Sequence, residues 1–164
     1  MKLPLEDFEF RRCEPCNADE ILTMQSEVLA GLTDAEILRN TPEQILRECL
    51  QPPHLTIGAW HGNTLAAFSM LYLPCEGNKE EDLSARLENV DIRGLIPANH
   101  QLVIVKKEFR GNSLQDELAR RLESYALESG VGIICATVSP KNPVSSNSLL
   151  RSGYTRNRTL LMYS

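Results

Sequence analysis

The chain has 164 residues, 42% of them hydrophobic and 24% charged, with a formal net charge of −5. That length suits one domain over residues 1–164, burying about two thirds of its unfolded surface and needing neither disulfides nor a structural metal to fold. The composition excludes a disordered chain, the absence of any apolar run near about 18 residues excludes a membrane-spanning helix, and the acidic excess makes nucleic acid a poor partner.

Met1–Asp7 lacks the apolar core and cleavage site of a signal peptide, so the cytoplasm is the expected location. In chain order, Phe8–Cys13 alternates apolar and polar residues and predicts a first strand. Cys13 and Cys16 have the spacing of a redox pair. They leave a strand instead of opening a helix, and no second pair completes a zinc site. The five cysteines are an odd number scattered along the chain, which predicts reduced thiols. His54, His61 and His100 show no ligand spacing, so no metal is expected.

Asn17 is a good N-cap for a helix over Ala18–Gly31, with Ile21, Met24, Val28 and Leu32 as its apolar stripe. Thr41-Pro42-Glu43-Gln44 reads as a capping box opening a second helix through Leu50, stopped by Pro52-Pro53. His54–His61 and Thr64–Leu73, joined through Gly62-Asn63, predict an antiparallel hairpin. Residues 75–99 are charged, with a short helix over Glu81–Asn89 and a loop around Gly94 and Pro97. Insertions of that kind commonly overhang a binding face.

Gln101–Lys106 predicts a fourth strand, Ser113–Ser129 a third long helix, and Gly132–Val138 a fifth strand. The continuous apolar run and short links make strands four and five parallel and buried. A fourth helix over Val144–Ser152 ends at Gly153, and Tyr154–Tyr163 predicts a last strand. The class is therefore α/β or α+β, a mixed sheet of about six strands flanked by about four helices. Between strand four and the third helix lies Arg110-Gly111-Asn112-Ser113-Leu114-Gln115. A strand running through a glycine loop into an open helix N-terminus is anion-binding geometry, so a phosphate-bearing ligand is the first expectation.

This order of elements, with the Arg110–Gln115 loop after strand four and Asn142, Ser145 and Gly153-Tyr154 downstream, resembles the GNAT acyltransferases. The resemblance covers nearly the whole chain. It implies transfer of an acetyl group from acetyl-coenzyme A to an amine, small molecule or peptide. Strands four and five would splay, leaving backbone groups of Val103, Ile104 and Val105 to pair with pantetheine. Amides of Arg110, Gly111, Asn112, Ser113, Leu114 and Gln115 and the helix dipole would hold the pyrophosphate, with Asn142 and Ser145 as the second motif. A strand-four N–H near Ile104 or Val105 would stabilise the oxyanion.

The chain departs from the family pattern at three places. Ser113 stands where Gly is usual; in a left-handed backbone it costs about 1–2 kcal/mol, whereas in a helical one it could cap the helix. Gln115 stands for Gly or Ala, and could crowd a phosphate or donate to it. Leu149 stands where many members have a Tyr that protonates the leaving thiolate. Tyr125 or Tyr154 are substitutes for that acid, and Glu108, His100 and acidic residues of 76–91 are candidate bases, so the catalytic residues are left unassigned. The family adds a seventh strand for which no residues follow Ser164. The exposed sheet edge predicts a homodimer, unless the native chain is longer. These departures keep a catalytically silent ligand-binding protein as the alternative reading.

Overall fold

The period-two segments form one five-stranded sheet in a computed structural model that describes residues 2–32, 40–75 and 80–157. Its strands are β1 (Glu9–Arg12), β2 (Leu55–His61), β3 (Thr64–Tyr72), β4 (Ile96–Val105) and β5 (Val131–Cys135), in spatial order 1-2-3-4-5. The first three pairings are antiparallel and β4–β5 is parallel. Four α-helices flank the sheet: α1 (Ala18–Ala30), α2 (Glu43–Glu48), α3 (Leu114–Glu128) and α4 (Pro143–Arg151).

Alternation along the central strands sends side chains into two separate cores, which gives three layers. Ile21 and Met24 of α1, Ile45 and Leu46 of α2, and Phe68, Met70, Leu102 and Ile104 of the sheet fill one core. Leu114, Leu118, Leu122 and Ala126 of α3 close the other against Leu55, Ile57, Ala59 and Leu71. Each large apolar side chain so buried contributes about 1.5–3 kcal/mol. Trp60 belongs to the first core at 3% exposure, with the Arg11 guanidinium 3.7 Å from its ring centroid.

The β2–β3 turn is the expected two-residue one. Gly62 carries a positive φ of 62° and Asn63 does not, the pattern of a type II′ turn. The expected capping box at Thr41 is absent. Pro42 is the N-cap, and Thr41 instead exchanges two hydrogen bonds with buried Gln25, donating at 2.9 Å and accepting at 3.0 Å. The buried amide of α1 competes successfully for the backbone that a cap would have used.

Three other boundaries differ from expectation. The helix over Glu81–Asn89 is a single 3-10 turn, Leu83–Arg86, because Asp82 accepts from Ser84 N at 2.9 Å and Asn99 binds the backbone of Glu81 and Leu83. β4 starts at Ile96, with Pro97 admitted at a register shift where its missing N–H breaks no ladder bond. β5 is shorter and less buried than its apolar sequence suggests, since it is an edge strand of the described sheet, as β1 is at the other side. Of the expected last strand, residues 154–157 are not in a strand and 158–163 lie outside the described residues.

Candidate functional site

Strands β4 and β5 pair only from Ile96 and Val131 to Asn99 and Cys135, after which β4 runs on to Val105 with β3 alone. Where they part, β4 carries a bulge: Met70 opposes Leu102 and Leu71 opposes His100, so Gln101 is the unopposed residue. A bulge bends a strand and re-aims its groups, and here it opens a wedge. Lys106 N donates to Ala66 O at 2.9 Å, so strand alternation turns the amides of Ile104 toward β3 and those of Val103 and Val105 toward the wedge. Of the three residues expected to offer free backbone there, Ile104 is the one that does not.

Below the wedge lies the loop. Gly111 (φ 83°) and Ser113 (φ 61°, ψ 21°) are both left-handed, and Leu114 begins α3. Ser113 occupies the N-cap position without any side-chain cap bond. The first backbone bond of the helix is Glu117 N to Ser113 O at 3.1 Å, so the N–H groups of Leu114, Gln115 and Asp116 have no partner among the described residues. Three unpaired donors at the positive end of a 15-residue helix attract an anion. Arg110 is exposed and turns back, its Nε 3.4 Å from Val105 O, which sets a cation beside the opening.

The acidic first turn of α3 carries its own counter-charges in Arg120, Arg121 and Arg151. Partial burial works to raise the Asp116 carboxyl, and hydrogen bonds from Arg151 and Ser148 outweigh it and hold it low. Glu117 is held low by Arg120 and Arg121, the Arg120 hydrogen bond being the larger cause.

The two sequence motifs meet through side chains. Asn142 caps α4 by accepting from Ser145 N at 3.2 Å, and Ser145 Oγ accepts from Gln115 Nε2 at 3.1 Å. Gln115 therefore points at α4, which settles the choice between crowding the loop and donating into it: its amide does neither. The backbone N–H expected of Asn112 is not involved in the contacts of its side chain, which is engaged elsewhere. Asn112 is buried, accepts from Leu3 N at 2.6 Å and donates to Phe109 O at 2.9 Å, so its side chain ties the loop to the start of the chain and does not face the opening.

Among the candidate acids and bases, the structure separates two from the rest. Tyr125 donates to Pro53 O at 3.0 Å, remote from the wedge. Glu108 is exposed on a 3-10 turn, Asp82 caps another, and Asp91 pairs with Arg93. His100 sits at the bulge, with Nε2 2.7 Å from Ser69 Oγ and its ring 6.4 Å from that of Tyr154. A Schellman turn puts Tyr154 there: Gly153 takes φ 96°, its N–H bonds Leu150 O at 3.1 Å, and Tyr154 N bonds Leu149 O at 3.0 Å. Burial pushes His100 down to about 4 and pushes the Tyr154 phenol up, with Glu123 and Cys135 adding to the latter. At neutral pH the pair is an uncharged imidazole and a protonated phenol. Sequence reasoning weighed both but missed that the turn after Leu149 brings them together.

On the other face, α2 and the segment at 80–81 border a cleft of about 1020 Å³ whose lining includes Glu43, Glu48, Glu80, Glu81 and His54. Tyr72, stacked on His54 at 4.4 Å and donating to Glu48 at 3.1 Å, opposes Asn99 beside the bulge. Cys13 is buried with its thiol pushed up to about 12, whereas Cys16 is exposed, and no cysteine is in a disulfide. No cluster of potential metal ligands occurs among the described residues, and none of their helices is long and apolar enough to cross a membrane.

No family model and no curated protein matches the sequence. Solved structures do match. One is aminoglycoside acetyltransferase AAC(6')-Iy in complex with the bisubstrate analogue CoA-S-monomethyl-acetylneamine, at 13% identity over 96% of this chain and 97% of that one, TM-score 0.67. A second is a ribosomal-protein-alanine N-acetyltransferase from Brucella melitensis biovar Abortus 2308, at 12% identity, 96% and 98% coverage, TM-score 0.66. A third is an aminoglycoside acetyltransferase from an uncultured soil metagenomic sample in complex with sisomicin, at 9% identity, 97% and 95% coverage, TM-score 0.64.

Proposed function

From the GNAT fold that the chain shares with these acetyltransferases, we propose that it is an N-acetyltransferase moving an acetyl group from acetyl-coenzyme A to an amine. One observation carries the reading: three unpaired amides at the start of α3 lie below a wedge into which Val103 and Val105 turn their backbone. The pyrophosphate fits the Gly111–Asp116 amides beside Arg110, and the pantetheine arm extends the sheet as a strand would.

The acceptor enters as an ammonium ion, to which the acidic cleft around Glu43, Glu48, Glu80 and Glu81 offers complementary charge. The ammonium sheds its proton to solvent through water in the cleft, since His100, on the other face of the sheet and held down to about 4 by burial, is too weak a base to keep it. The amine nitrogen then attacks the thioester carbonyl. An outward N–H of Val103 or Val105 stabilises the oxyanion, in place of Ile104, whose amide faces β3. Collapse of the tetrahedral adduct breaks the carbon–sulfur bond; the Tyr154 phenol donates to the departing thiolate and is reprotonated by the proton that the adduct's nitrogen gives up, leaving amide, free thiol and neutral phenol. Leu149 is thereby replaced in function by a residue five positions later. The reading also carries the cytoplasm as the location and a homodimer through the outer edge of β5; light scattering that gives a monomer removes the dimer.

The test is the thermal unfolding midpoint with and without saturating acetyl-coenzyme A. Ligand at about 100 times its dissociation constant adds roughly 2.7 kcal/mol, a rise of about 5–10 °C in a chain of this size. The rise is expected to shrink in Arg110→Ala, and its absence in the native protein would overturn the reading. The strained Ser113 backbone favours the second reading, a catalytically silent coenzyme A binder. Binding with no acetyl transfer across a panel of amines would establish that one.

A further inference from the structure

A groove of about 390 Å³ runs between β1 and α3, away from the wedge, and its chemistry is opposite to that of the molecule as a whole. Its floor is apolar, made by Phe10, Leu55, Ile57 and the ring of Tyr125. Its cations are Arg12, Arg120 and Arg121; Arg11 also borders it but sends its guanidinium to Trp60 on the other face.

The charges around the groove are not balanced locally. Glu117 serves two arginines at once, Arg120 at 2.6 Å and Arg121 at 3.0 Å. Arg12 is half-buried and pairs with no carboxylate among the described residues, its contacts being a 3.4 Å bond to His54 O and the Tyr125 ring centroid at 5.5 Å. Glu128 at the helix end is the one carboxylate among the groove's lining residues. A guanidinium withdrawn from water without a counter-charge is destabilised, and an arriving oxyanion removes that cost. Arg12 against Tyr125, and Arg121 4.3 Å from the Phe10 ring centroid, are each held against an aromatic ring. Planar forks held in place lose little freedom on binding a carboxylate or phosphate.

We propose that this groove is a second ligand site, taking a small organic oxyanion, a phosphomonoester or carboxylate on a flat apolar body, between Arg12 and Arg121 with Ser124 and Tyr125 beside it. The volume suits a ligand of one ring system, and the apolar floor selects against a bare inorganic anion. The site is independent of the wedge and of the acetyl-transfer reading.

The test titrates the full chain with phenyl phosphate, benzoate and inorganic phosphate while following backbone amide resonances, in the native protein and in Arg110→Ala. Saturable shifts at Ser124 and Tyr125 are expected, with phenyl phosphate or benzoate binding more tightly than inorganic phosphate. The better of those two tells which oxyanion the groove prefers. Affinity should fall at least tenfold in Arg12→Gln and in Arg121→Gln, the loss of one charge-assisted bond, and hold in Arg110→Ala. A well-dispersed spectrum of Arg121→Gln keeps the test valid should Arg12→Gln unfold. Three outcomes overturn the proposal: no saturable shift with any probe, shifts confined to residues 111–115 and lost in Arg110→Ala, or affinity unchanged in both groove variants.

Discussion

Ser113 shows how one side chain records a compromise. Its left-handed backbone disfavours any residue with a Cβ by about 1–2 kcal/mol, while glycine gives back about 0.5–1 kcal/mol through its freer unfolded state. Ser113→Gly is therefore expected to stabilise by about 0.5–1 kcal/mol, a rise of about 1–4 °C in the calorimetric midpoint. A fall would mean that the serine side chain stabilises the turn in a way its missing cap bond does not reveal. The cost of a left-handed serine was legible in the sequence, because backbone sterics are local. The role of Asn112 was not: its partner Leu3 is 109 residues away, and no local pattern shows a contact of that span.

At the scale of elements, periodicity located every strand and helix of the described sheet and failed mainly at ends, where a particular long-range bond decides. Gln25 took Thr41 from its cap, and Asn99 reduced a helix to one turn. Residues 142–145 read as a family motif, and the structure shows that they also cap α4 and bind α3 to it. The same interface contains Asp116, which accepts from buried Ser148 and from Arg151 at 3.1 Å. Asp116→Ala leaves the Ser148 hydroxyl buried without a partner and frees Arg151, so a loss of about 1–2 kcal/mol is expected in chemical denaturation. Retention of full stability would show that α4 is held by its apolar contacts alone. Because Gln115–Ser145 spans the same interface, loosening it should also weaken whatever anion the loop binds.

For the molecule as a whole, the buried histidines give stability a pH dependence of known sign. His100 titrates near about 4 when folded, against about 6.5 when unfolded, so the unfolded chain binds the extra proton between those values. Its contribution is complete above about pH 6.5 and is lost as pH falls toward 4, roughly 3 kcal/mol in all. His54 acts in the same direction, lowered by burial with Glu48 opposing. Urea midpoints at pH 7 and pH 5 should show a lower value at pH 5 and a smaller drop in His100→Gln. An equal drop in both would mean that His100 keeps its ordinary pKa in the native protein and contributes nothing to the pH dependence. None of this is legible from spacing, because what burial does to a histidine depends on the layer closed over it.

The chain has a single tryptophan, and Trp60 is packed in the α1–α2 core, on the opposite face of the sheet from α3. Its emission should report the melting of that layer and remain constant when a ligand settles in the loop. A flat fluorescence titration would thus say nothing about binding. Val144, 69% exposed two residues after Asn142, is a better place for an indole that senses the loop.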